Sequence, residues 1–170
     1  EYAANIKDGG NVGILMGMLT QEAAIMRTKG VEDFFQDKPN FDVVRKQTGL
    51  WQRAQGMTVM ENWLNSGDQL DIILANNDDM ALGAIQALRA AGKLDDTLVV
   101  GVDATPDGLI AVKNGSLNAT VFQDGGGQAR GAIDAAVDAV KGKQHDQITW
   151  IPAELVTQDN LAAFEAKQKG

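Results

Sequence analysis

The sequence predicts an α/β fold, a doubly wound parallel sheet flanked by helices. Short apolar runs alternate with segments of helical periodicity, and turn residues separate them. The stretch 72–88 shows the pattern most clearly. Its first four residues are an apolar run with the length of a buried strand, four polar residues follow, and apolar residues then recur at helical spacing.

The chain opens with a helical turn at 1–7, which ends at a pair of glycines. Val12, Ile14 and Leu15 predict a strand over 11–17. A helix then begins near Thr20 and ends before Pro39. Its predicted buried residues are Ala24, Ile25, Val31, Phe34 and Phe35.

The next two strands and helices follow the same pattern. Residues 41–46 are rich in β-branched side chains, which predicts the second strand, and a helix runs from about 52 to 65. The strand at 72–75 is the third, and Gly92 and Lys93 end the helix after it.

The fourth strand is predicted at 98–102 and ends in Asp103. Thr105, Pro106 and Asp107 are a strong helix start: a capping side chain, a proline at the first helical position and an acid near the positive end of the helix. The remaining predicted elements are a fifth strand at 117–122, a helix after 125–127, an extended segment at 148–156, and a helix or frayed tail at 159–167.

Composition narrows the classes of function. The 170 residues suffice for one domain with a core, and the net charge of -8 argues against a nucleic-acid-binding surface. No cysteine is present, which excludes disulfides and thiol catalysis. A lone histidine, His145, lies in a polar stretch and is interpreted as solvated, because a metal site needs further ligands.

Polar side chains follow the predicted strands, and they are the candidate site. If the sheet is parallel, these side chains meet at one edge, where ligands bind in such folds. The candidates are Arg27 on the helix after the first strand, Gln47 and Trp51 after the second, Asn76 and Asn77 after the third, Asp103 after the fourth and Gln123 after the fifth.

This set of side chains suits a small neutral polyol. Carboxylate and amide groups bind hydroxyls, a guanidinium can span two adjacent oxygens, and an indole covers the C–H face of a ring. Each residue also has a structural interpretation: Asn77 as a helix cap, Asp103 as the end of a strand, Trp51 as packing at the sheet edge, and Arg27 as a solvated charge.

Other candidate chemistry is weaker. The glycines at 125–127 lack the spacing of a dinucleotide-binding loop, because Arg130 stands where the last glycine is needed. The pair Asp78 and Asp79 has no histidine, cysteine or lysine beside it to complete a catalytic set. We therefore predict no enzyme activity, cofactor or metal, and interpret both aspartates as helix-start acids.

Three stretches together form a specific pattern. They are the Asn-Asn-Asp-Asp-Met-Ala-Leu-Gly-Ala stretch at 76–84, the Val-Gly-Val-Asp-Ala-Thr-Pro-Asp-Gly stretch at 100–108, and the Ala-Thr-Val-Phe-Gln stretch at 119–123. This pattern resembles the ribose-type periplasmic sugar-binding proteins of ABC importers. The stretches at 24–30 and 150–157, with Trp51, look closest to the inositol-binding branch.

The resemblance implies a type I lobe with flavodoxin-like strand order 2-1-3-4-5. In that family two such lobes close on a sugar. It places Arg27, Asn77, Asp103 and Gln123 at positions that bind sugar hydroxyls, and Trp51 at an aromatic position beside the sugar.

The resemblance also implies a domain organisation. Residues 1–123 plus about 150–157 correspond to the carboxyl-terminal lobe, about 124–149 to a crossing helix that belongs to the other lobe, and the amino-terminal lobe is absent from this chain. We therefore expect the chain to be part of a longer protein.

The partners implied by the resemblance are a sugar or cyclic polyol (inositol, ribose or a hexose), an ABC permease of the inner membrane, and a chemoreceptor, with a periplasmic location. A second hypothesis is the effector-binding core of a sugar-responsive LacI-type transcriptional repressor, which shares the fold. A DNA-binding helix-turn-helix segment upstream would favour the repressor, and a signal peptide would favour the transport protein.

Overall fold

The computed structural model describes residues 2–143 and 146–167, so His145 lies outside the described residues. The strands are β1 Gly10–Met16, β2 Phe41–Thr48, β3 Ile72–Ala75, β4 Leu98–Val100, β5 Thr120–Gln123 and β6 Ala153–Val156. The α-helices are α1 Tyr2–Ile6, α2 Glu22–Gln36, α3 Arg53–Asn65, α4 Asp78–Ala90, α5 Pro106–Lys113, α6 Gly125–Val140 and α7 Leu161–Lys167.

The first four strands form one parallel sheet in the order β2-β1-β3-β4. The fifth strand lies beside β4 and is attached by two parallel bridges, Val100 to Ala119 and Asp103 to Phe122. The overall order is therefore 2-1-3-4-5, and the predicted doubly wound parallel fold is confirmed.

The bounds of β4 and of the last extended segment differ from those predicted from the sequence. β4 ends at Val100 rather than at residue 102, because its last pair with β3 is Leu74 with Val100. Beyond it, Asp103 and Ala104 leave the extended conformation with φ of 117° and 51°. The extended segment predicted at 148–156 narrows to β6, which pairs antiparallel with β5.

Helices cover both faces of the sheet. On one face α3, α4, α5 and α7 enclose the larger core, which includes Met60, Ile73 and Leu88. On the other face α1 and α2 cover a smaller core around Ile14 and Ile72. Ile72 and Ile73 are neighbours in β3 and serve opposite cores, as the alternation of side chains along a strand requires.

Burial of α2 and α6 departs from a simple helical pattern. Ile25, predicted to be buried, is 51% exposed, because α2 packs on the sheet through Ala24, Thr28 and Phe35 instead. No described side chain of α6 is buried. The segment predicted as a helix or frayed tail is the helix α7, and its Leu161 and Phe164 side chains are buried in the larger core.

Two helix starts have the predicted caps. The Asn77 side chain accepts a hydrogen bond from the Met80 amide, and the Thr105 hydroxyl accepts one from the Gly108 amide, with Pro106 at the first helical position. Both helices therefore begin at fixed points just beyond β3 and β4. None of the helices in the described parts of the chain is long and apolar enough to span a bilayer.

Candidate ligand-binding site

The five predicted site residues lie at one edge of the sheet, beyond the carboxyl ends of the strands. Asp103 is at the centre of this group. Its Oδ1 accepts a 2.6 Å hydrogen bond from Gln123 Nε2 and lies 3.5 Å from Arg27 Nη1. The side chains of Arg27 and Asp103 are 25% and 31% exposed, so this cluster is accessible from solvent.

Arg27 connects three of the strand ends. Its Nη1 donates a 2.6 Å hydrogen bond to the Asn76 carbonyl oxygen, and its guanidinium carbon lies 5.6 Å from the centre of the Trp51 ring. This contact with an aromatic ring is in the range of a cation–π interaction. The guanidinium is therefore held by the backbone after β3, the carboxylate after β4 and the indole after β2.

Trp51 is fixed from both ends. Its indole Nε1 donates a 2.6 Å hydrogen bond to Gln21 Oε1, and its backbone carbonyl accepts a 3.1 Å hydrogen bond from Asn77 Nδ2. The ring lies so close to Gly17 that a Cβ there would come within 2.1 Å of it. Leu50 and Trp51 both have positive φ, 55° and 66°, which is a strained conformation for residues other than glycine. The Trp51 ring is placed at the site by this strained turn after β2.

Asn77 has the capping role, and its neighbour Asn76 has a role that sequence reasoning missed. Asn76 is buried, and its Oδ1 accepts hydrogen bonds from the Gly17 amide at 3.0 Å and the Thr28 hydroxyl at 3.1 Å. With its carbonyl bound to Arg27, Asn76 joins β1, α2 and β3. The position directly after a buried strand was the signal for it, but which of two adjacent amides turns inward depends on the packing.

Asp78 is the second missed residue. It was predicted as a helix-start acid, and it does lie in the first turn of α4, but its side chain is 0% exposed. Its carboxylate accepts hydrogen bonds from the Thr120 hydroxyl at 2.6 Å, the Thr105 amide at 2.8 Å and the Thr105 hydroxyl at 3.2 Å. Asp79, in contrast, is half exposed and pairs with Arg53, which also pairs with Asp107.

The pKa values of Asp78, which is buried, and of Asp103, which is partly buried, follow from their surroundings. Burial raises the pKa of Asp78 to about 6, although hydrogen bonds from Thr120 and Thr105 oppose the shift. Burial also raises the pKa of Asp103, and the charge of Arg27 is the strongest opposing influence.

The raised pKa of Asp78 predicts that this residue contributes more to stability at pH 5 than at pH 7. Its pKa is about 6 when folded against an ordinary 3.8, so its contribution is fully present below the unfolded value and is lost as pH rises through about 6. Asp78 alone should add about 1 kcal/mol on acidification from pH 7 to 5. Urea unfolding at both pH values tests this, with Asp78→Asn as the control; an equal pH dependence in both proteins would contradict it.

The side chains of the site are of kinds that can bind hydroxyl groups. A carboxylate and two amides offer acceptors and donors, Arg27 offers a charged donor, and the Trp51 ring offers an apolar face. Within residues 2–143 and 146–167, no group of three or more histidine, cysteine or acidic side chains is arranged to hold a metal ion.

The parallel sheet of order 2-1-3-4-5, with a polar cluster at the carboxyl ends of its strands, defines a ligand-binding α/β lobe. The chain is more specifically a member of the periplasmic binding protein domain family, whose model matches residues 1–144.

Proteins similar to this chain include two that were solved with bound myo-inositol. A Rhizobium meliloti protein whose name assigns it to rhizopine binding is 47% identical over 161 residues, which is 93% of this chain and 52% of that protein. An ABC transporter solute-binding protein from Bacillus halodurans, solved with bound myo-inositol, is 46% identical with a TM-score of 0.88, over 98% of this chain and 57% of that one.

A third similar protein is the Caulobacter myo-inositol-binding protein, solved bound to myo-inositol. It is 34% identical with a TM-score of 0.89, over 99% of this chain and 59% of that one. The chain thus spans about half the length of the relatives that it matches.

Proposed function

We propose that this chain is the carboxyl-terminal part of a solute-binding protein of an ABC importer, and that it binds a sugar or cyclic polyol reversibly. It serves as a binding component and not as an enzyme. The observation that carries the proposal is the cluster of Arg27, Asp103 and Gln123 beside the Trp51 ring, at the sheet edge where ligands bind in open α/β folds.

The energetics of such a cluster fit reversible capture. A hydrogen bond that involves a charged group contributes about 1.5–3 kcal/mol. Four of them at the upper end of this range total about 12 kcal/mol. Less about 4 kcal/mol for the entropy lost on association, they reach roughly -8 kcal/mol, the free energy of a micromolar complex. The roles of Arg27, Trp51, Asn77, Asp103 and Gln123 in ligand contact are part of this proposal.

A neutral ring with several hydroxyls fits the charges of the cluster. The charge of Arg27 is already opposed by Asp103, so an anionic ligand would gain little here. The similar proteins bound to myo-inositol support a cyclic polyol, with inositol, ribose and hexoses as the first candidates.

The proposed protein has two lobes. Residues 1–123 and about 150–157 form this lobe together with α7, whose Leu161 and Phe164 lie in its larger core, and about 124–149 cross to an amino-terminal lobe. The exposed apolar side chains of α6 support this boundary: Ile133 is 63% exposed and Val140 is 90% exposed, and neither packs on the sheet described here. An apolar helix face of this kind needs a partner surface.

Delivery of the ligand to an inner-membrane permease from the periplasm completes the proposal. The family description supports the location, and the ABC transporter relative supports the permease as partner. Docking to a chemoreceptor is proposed on the family resemblance described above.

Calorimetry tests the ligand class. A full-length protein with both lobes is titrated with ribose, galactose, glucose, allose and myo-inositol. We expect micromolar or tighter binding of at least one of them, because two half-sites then enclose the ring. Absence of heat with all five would refute the polyol proposal.

The 170-residue chain alone provides the companion measurement. We expect it to bind the same ligand weakly or below detection, because it supplies only one side of the pocket. Micromolar binding by this chain alone would refute the two-lobed pocket while leaving polyol binding itself intact.

A further inference from the structure

The turn that presents Asp103 is hydrogen-bonded to Asp78 on both sides of Asp103. The Asp78 amide donates to the Val102 carbonyl at 2.8 Å, and the Asp78 carboxylate accepts from the amide and hydroxyl of Thr105. The Thr120 hydroxyl donates to Asp78 Oδ1 and accepts from the Ala104 amide at 3.1 Å. Asp78 therefore holds this turn before Asp103 and after it.

This turn needs such support because its conformation is unfavourable. Asp103 and Ala104 both have positive φ, at 117° and 51°, although neither is a glycine. Non-glycine residues keep such angles only where the surroundings enforce them. The Asp103 carboxylate reaches Arg27 and Gln123 from this conformation.

The neighbouring backbone makes room for the Asp78 carboxylate. A Cβ on Gly101 would lie 2.3 Å from Asp78 Oδ1, and a Cβ on Gly108 would lie 2.1 Å from Asp78 Oδ2. The side chain thus fills the space between the backbone at Gly101 and the start of α5, and its oxygens accept hydrogen bonds from Thr105 and Thr120. A carboxylate, which only accepts, matches those donors.

We propose that Asp78 is a positioning residue for ligand binding: through Thr105 and Thr120 it fixes the turn at 102–105, and so directs the Asp103 carboxylate toward Arg27 and Gln123. The inference rests on the proposed function, because it assigns Asp78 to the same site. Asp78 itself is fully buried, so its carboxylate acts on the site only through these neighbouring residues.

Two variants test the proposal by removing hydrogen bonds that connect Asp78 to the turn at 102–105. Asp78→Asn replaces one acceptor with a donor, and Thr120→Val removes the hydroxyl that links Asp78 to the Ala104 amide. Thr120→Ser keeps that hydroxyl and is the conservative rescue. Asp79→Asn is the matched charge control, because Asp79 pairs with Arg53 and makes no hydrogen bond to the turn.

Two readouts separate positioning from general support of the fold. The first is the chemical shift of the Gln123 side-chain amide in this chain, since its Nε2 donates to Asp103. The second is the calorimetric Kd of the two-lobed protein for myo-inositol. We expect Asp78→Asn and Thr120→Val to move the amide resonance and to raise the Kd at least tenfold. In Thr120→Ser and Asp79→Asn we expect the resonance to stay in place and the Kd to stay within about twofold of wild type.

A purely structural role would give a different result. Asp78→Asn and Thr120→Val would then lower the melting temperature but leave both the Gln123 resonance and the Kd of the folded protein unchanged, and this outcome would overturn the proposal. If Asp78→Asn does not fold, Thr120→Val with its serine rescue decides. If the wild-type protein binds no myo-inositol, the amide resonance still decides the role of Asp78, and only the ligand class of the proposed function fails.

Discussion

Asp103→Ala is expected to weaken polyol binding by at least about 2 kcal/mol, which is roughly a thirtyfold increase in Kd. Asp103 is the acceptor on which Gln123 Nε2 and Arg27 Nη1 converge. Alanine removes that acceptor and leaves both donors without it, and it also removes a charged acceptor for ligand hydroxyls. Calorimetry on the two-lobed protein measures the change.

Asp107→Asn is the matched control for that experiment. It makes a change of one charge only four positions away, on an exposed side chain that pairs with Arg53 and not with the Asp103 cluster. We expect its Kd to stay within about twofold of wild type. Unchanged affinity in Asp103→Ala itself would mean that Asp103 only shapes the turn after β4, and would remove it from the proposed site.

Gly83→Ala is expected to lower the free energy of unfolding by about 3 kcal/mol or more. A Cβ at this position would lie 2.0 Å from the Arg53 carbonyl oxygen and 2.7 Å from the Met57 amide nitrogen, both of them backbone atoms of α3. Gly56 makes the reciprocal approach, with its Cβ position 2.5 Å from the Met80 carbonyl oxygen. The two helices therefore cross too closely for either side chain, and a backbone cannot turn aside as a flexible side chain can.

Gly30→Ala provides the control for the glycine substitution. Gly30 also lies within a helix, α2, but a Cβ there meets no atom within 4 Å. Alanine should therefore stabilise the protein by about 0.5–1 kcal/mol, because it only improves helix propensity. Urea unfolding of both variants measures the contrast. A loss of less than about 1 kcal/mol in Gly83→Ala would show that α3 and α4 have room to separate.

Local pattern was enough to predict most of the fold. Periodicity placed β3 at residues 72–75, and the capping residues placed the start of α5, because both signals depend only on near neighbours in the chain. The parallel arrangement followed from the alternation of strands and helices, and it brought Arg27, Trp51, Asn77, Asp103 and Gln123 to one edge. Their meeting in one cluster could be predicted because every parallel strand ends at that edge.

The sequence by itself therefore determined the fold class, the strand order through family resemblance, and the residues that crowd the binding edge. Only the tertiary structure decided what Asn76 and Asp78 do: a polar residue after a strand turns inward or outward according to partners such as Thr28 and Thr120, which are 48 and 42 positions away in the chain. It likewise decided the exposure of Ile25, because helical periodicity defines a face but not the width of the surface that covers it.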